Sequence, residues 1–127
     1  MLTQPLTGDL RRYLHQVAGA LGLPPDASVT LHDAEPSGRV ALRSRLPAFP
    51  NLDALLQWTT RHGWCLAVRN FHGTQVIPLC YLGPDPVPDP AEVARFAREM
   101  VSGAHTGATA PPAEYDQAEV LNRLADT

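Results

Sequence analysis

The chain has 127 residues, 44% of them apolar and 18% charged, with a formal net charge of −3. That length suits one domain burying about two thirds of its unfolded surface, and no apolar run approaches the roughly 18 residues that a membrane helix needs. All ten cationic side chains are arginine, and the acidic balance argues against a protein that coats nucleic acid.

The N-terminus, MLTQPLTGDLRRYL, has no basic region leading into an apolar block. No secretory signal is read there, so a cytoplasmic location and two reduced cysteines are expected. Arginine without lysine, beside frequent Ala, Gly and Pro, reads as the codon bias of a GC-rich bacterial genome.

Residues 9–21 place Leu10, Tyr13, Leu14, Val17, Ala18 and Leu21 on one helical face. Thr7 is the expected cap and Gly22 the stop. Two strand-like runs follow, SVTLHD and GRVALRSRL, joined by a turn containing Pro36. Alternation in the second run puts Val40, Leu42 and Ser44 on one face and Arg39, Ala41, Arg43 and Arg45 on the other. Residues 51–63, NLDALLQWTTRHG, read as a helix from an Asn51 cap to Gly63, with Leu52, Leu55 and Leu56 as its buried stripe and Trp58 off it. Two more strands, WCLAVRN and QVIPLCYL, are expected next. In PDPVPDPAEVARFAREMVSG, Asp89, Pro90 and Glu92 form the pattern of a capping box before a helix whose apolar face is Val93, Phe96, Ala97, Met100 and Val101.

The predicted order is α-β-β-α-β-β-α. It specifies an α+β fold with a four-stranded, largely antiparallel sheet and helices mainly on one face. The domain is expected over residues 1–103, a flexible linker over 104–113 and a short amphipathic tail over 114–127.

Both cysteines lie in the stretch RHGWCLAVRNFHGTQVIPLCYLG. A hairpin turning through residues 71–74 pairs Trp64 with Tyr81, Leu66 with Leu79 and Val68 with Ile77. It sets Cys65 opposite Cys80, close enough for a candidate redox pair. Pro78, which has no N–H, calls for an edge or a bulge on its strand. His62 and His72 stand too far apart along the hairpin to share a metal ion with those thiols, so no metal site is expected. No cofactor-binding or nucleophile motif occurs, and no catalytic residue is assigned. His32, Asp33 and Glu35 are the first suspects for any acid-base chemistry.

With the apolar strand residues packed beneath helices, the opposite sheet face presents Arg39, Arg43, Arg45 and Arg69 around Ala41, Cys65, Ala67, Val76, Pro78 and Cys80. Arginine framing a small apolar patch suits a protein interface, and the lack of an aromatic ladder argues against direct nucleic-acid binding. The expected function is therefore a non-enzymatic protein-binding or regulatory module, whose partner is another protein or a second copy in a homodimer. The rival reading is a small enzyme or ligand-binding protein with a pocket near Trp58, Trp64 and Tyr81.

The segments YLHQVAGALGLPPDA, LPAFPNLDALLQWTTRHGWCLAV and YLGPDPVPDPAEVARFAREMVSG together resemble a family of small actinobacterial proteins of unknown function. The likeness spans about residues 9–103 and rests on Trp58, Gly63, Trp64, Leu66, Tyr81, Gly83 and Pro90. It implies packing and turn roles for these residues and no activity. The predicted element order is also similar to that of small dimeric secretion chaperones, a likeness of fold alone.

Overall fold

A computed structural model describes residues 3–24, 29–32, 37–70, 75–83, 85–103 and 107–126. In chain order they form α1 (Thr3–Ala20), β1 (Val29–His32), β2 (Ser37–Ala41), β3 (Asp53–Thr59), β4 (Gly63–Arg69), β5 (Val76–Tyr81), α2 (Pro90–Val101) and α3 (Gln117–Ala125). The class is α+β. The sheet is antiparallel with strand order β1-β2-β3-β4-β5, so every strand lies beside its neighbour in sequence.

The expected central helix is instead strand β3, which makes the sheet five-stranded and removes the likeness to the chaperone order. The apolar pattern misleads because β3 is buried on both faces. Ala54, Leu56 and Trp58 enter the main core, while Leu55 points the other way into a second, smaller cluster. Adjacent leucines at 55 and 56 thus imitate a helical stripe, and Trp58, which that stripe could not accommodate, falls into place at period two. Gly63 takes the left-handed conformation (φ 69°) expected of a helix stop, but it closes a hairpin turn over residues 60–62. His62 belongs to that turn, its N–H donating to Thr59 Oγ1 at 3.1 Å.

Helix α1 starts at Thr3, so Thr7 is inside it and not at its cap. Its end is a Schellman arrangement: Leu23 N–H reaches the Ala18 carbonyl (2.9 Å), Gly22 N–H reaches that of Gly19 (3.0 Å), and Gly22 has φ 73°. Leu10, Tyr13, Leu14, Val17 and Ala18 are all buried. They pack on β1, β2, α2 and α3. The approach to β2 is so close that a Cβ on Gly38 would collide with Leu14, which explains a glycine inside a strand. Helix α2 has Pro90 in its first turn, but the Asp89 side chain makes no capping bond. The Asp89 carbonyl instead accepts from Glu92 and Val93 N–H at 2.9 and 3.2 Å.

The C-terminal segment is held against the same body. Tyr81 and Ala108 exchange two backbone hydrogen bonds (2.7 and 3.0 Å), and Tyr115 N–H donates to the Arg61 carbonyl (3.1 Å). Asp116 Oδ1 accepts from Ala118 N–H and caps α3, whose Val120 and Leu124 are fully buried in the main core. Val120 and Leu124 of the tail are therefore covered from within the chain, while Leu121 stays exposed. No helix among the described residues is long and apolar enough to cross a membrane.

Candidate functional site

All three helices contribute to the main core, and among the described residues the other face of the sheet carries side chains of the strands and of the β2–β3 connection. Registered pairing orders that face into rows: Arg39, Gln57, Cys65 and Tyr81; then Ala41, Leu55, Ala67 and Pro78; then Asp53, Arg69 and Val76. Leu55, Cys65 and Ala67 form a small apolar centre, 2%, 5% and 0% exposed, with Val76 and Tyr81 packed against it. Sequence reasoning placed Arg39, Arg69 and Val76 on this face correctly, but missed Asp53, Leu55 and Gln57 because β3 was read as a helix.

Strand β2 ends at Ala41, so simple alternation no longer positions Arg43 and Arg45. Arg43 sits at φ 60°, a left-handed backbone that costs a non-glycine residue about 1 kcal/mol or more. Arg45 is braced by the Pro50 carbonyl (3.0 Å) and lies 3.8 Å from an Asp53 carboxylate oxygen. With Arg69 from β4 they surround a concavity of about 310 Å3, floored by Ala41 and Leu55. Among the described residues Arg39, Arg43 and Arg69 make no ion pair. Three uncompensated guanidinium groups thus share one face, and Asp53 is the single acidic residue in the five strands. Guanidinium forks are suited to carboxylate and phosphate partners.

The cysteines do not pair as the sequence suggested. Val68–Ile77 and Ala67–Pro78 keep the expected register, but beyond them Leu66 pairs with Cys80 and Cys65 with Tyr81. Leu79 is the extra residue of a bulge next to Pro78, where the missing N–H interrupts the ladder. The bulge turns Cys80 into the main core and leaves Cys65 on the free face, and both are free thiols. Burial pushes the Cys65 thiol up to about 12, with the nearby Cys80 adding to the rise and Arg39 opposing it. Cys80, also raised by burial, lies 3.9 Å from the Met100 sulfur. Neither is an activated nucleophile.

The aromatic residues of the rival reading do not share a pocket. Trp58 and Trp64 are core residues, 0% and 1% exposed, with their ring N–H groups committed to the Pro86 carbonyl (2.8 Å) and Tyr13 Oη (3.0 Å). Tyr13 O–H in turn donates to the Pro88 carbonyl, and burial raises its phenol above the usual range. Tyr81 projects from the other face, its ring edge-on to His62 at 6.1 Å between centroids. His72, Asp33 and Glu35 lie outside the described residues, and only the backbone of His32 is described, in β1. Among the described residues, no three His, Cys, Asp or Glu side chains gather as a metal site would require.

The sequence model of one family of unknown function matches residues 13–99, from the middle of α1 almost to the end of α2. That span contains Trp58, Gly63, Trp64, Leu66, Tyr81, Gly83 and Pro90. No curated protein and no solved structure matches the chain.

Proposed function

The chain belongs to that family, DUF6292, which brings no activity with it, and from the geometry alone we propose that it is a binding module whose free sheet face docks an acidic segment of another protein. The observation that carries the reading is the juxtaposition of three unpaired arginines with a helix-free apolar centre on one side of an otherwise acidic chain. Arginine stems cover the apolar floor while their heads meet carboxylates, the combination found at interface hot spots. A symmetric contact of this face with itself would press guanidinium groups together, which makes an acidic partner the better occupant than a second copy.

The test is the affinity of a synthetic Glu-rich peptide, followed by fluorescence anisotropy. Arg39→Glu with Arg69→Glu should reduce binding at least about tenfold while the circular dichroism spectrum stays unchanged. Equal binding by the double variant would remove the face from consideration. Light scattering on the free chain reports the competing occupant, since a concentration-dependent dimer that the same double variant dissolves would assign the face to a second copy.

A further inference from the structure

We infer that the concavity between Arg43, Arg45 and Arg69 is a phosphoryl-binding subsite of the docking face, built to seat a phosphorylated side chain of the acidic partner segment. The inference rests on the docking reading for the origin of the ligand but on separate observations for its chemistry. Three guanidinium groups against the one carboxylate of Asp53 leave a net charge of two positive, which matches a phosphate monoester near pH 7 better than a single carboxylate. The guanidinium groups come from two different segments, the β2–β3 connection and β4, so they converge on a ligand from different sides.

The backbone supplies the second observation. Arg43 is the one described residue other than glycine with positive φ, at a position where glycine would fit without strain. A strained conformation kept by a long cationic side chain aimed at a cavity points to a role for that side chain. Arg45 is held in advance by the Pro50 carbonyl, so less of its freedom is lost on binding. The volume, about 310 Å3, lies at the lower end of ordinary ligand pockets, and the floor of Ala41 and Leu55 suits the short carbon stem of phosphoserine.

The probes are a Glu/Ser peptide carrying one phosphoserine, its unphosphorylated twin, and inorganic phosphate. The phosphopeptide should bind about tenfold or more tightly than its twin, and the difference should shrink as pH falls through about 6, where the monoester dianion takes up a proton and becomes a monoanion. Arg43→Gly, which suits the local backbone and should keep the thermal midpoint, should abolish the phosphate gain, so that in this variant the phosphopeptide binds no more tightly than its twin, whatever the loss of one face arginine costs both. Asp53→Asn, by removing the opposing charge, should enlarge the gain. Twin binding without any phosphate gain, or a gain that survives Arg43→Gly, overturns the subsite and leaves the docking face standing. A phosphate gain that survives Arg39→Glu, with no measurable binding of the twin, overturns the docking face and leaves the subsite. Inorganic phosphate binding as tightly as the phosphopeptide overturns the peptide as the source of the group.

Discussion

Cys65 shows how one residue couples the free face to stability. Cys65 is 5% exposed, packs in one cluster with Leu55 and Ala67, and its thiol is pushed up to about 12 from an ordinary value of 9.0. The folded state therefore holds the proton more tightly than the unfolded chain does. The stabilisation is fully present below pH 9 and is lost as pH rises from 9 towards 12. Between pH 9 and 10 the decline belongs to the thiols, Cys80 adding to it, and above 10 the buried Tyr13 phenol joins with the same sign. We expect urea denaturation over a pH series to show stability falling above pH 9, with Cys65→Ala flattening the slope between 9 and 10. An unchanged slope in that variant would mean that Cys65 stays ionisable in the folded protein.

At the scale of elements, α3 is the segment whose role most changes once its packing is seen. Leu124 is fully buried against α1, while Arg123 bonds both Asp85 (3.0 Å) and the Val87 carbonyl (2.7 Å). Leu124→Ala should therefore cost about 2–4 kcal/mol in urea denaturation, as a core truncation does. A loosely docked tail would lose less than about 0.5 kcal/mol. An amphipathic tail is legible in the sequence, where Val120, Leu121 and Leu124 fall at helical spacing. Its burial is not, because period 3.6 shows that a face is apolar and says nothing of what covers it. Strand β3 failed for a related reason: capping at Asn51 and a left-handed Gly63 serve a helix or a hairpin equally well, and burial on both faces erased the alternation. In β4 and β5 the pairing was legible up to Pro78, and only the residue at which the bulge opened, Leu79, was hidden. The arginine face survived these errors in part, since Arg39 and Arg69 follow from their own strands, whereas the concavity depends on a bend at Arg43 that no pattern announces.

Across the whole molecule, charge is segregated more than the formal −3 suggests. The strands carry Arg39 and Arg69 against Asp53 alone, while the hollow beside α2 holds Asp85, Glu92 and Glu99, with Asp85 met by Arg123 (3.0 Å) and Glu99 by Arg95 (3.8 Å). Such a distribution orients an approaching acidic partner, and its reach is set by the Debye length, about 8 Å at physiological ionic strength. Association of the Glu-rich peptide should accordingly slow as salt rises from low to physiological concentration, while dissociation changes less; stopped-flow measurement of the two rates checks this. A salt-independent association rate would mean that the arginine charges do not steer the encounter. The packing of α1 against α3 also bears on how the molecule comes into being. Arg12 reaches the Leu124 carbonyl at 3.4 Å across 112 positions of chain, so the helix synthesised early is completed by the helix synthesised late. The five strands can pair hairpin by hairpin as they leave the ribosome, yet the part of α1 that packs on α3 stays uncovered until α3 arrives, and during that interval the nascent chain depends on whatever shields it.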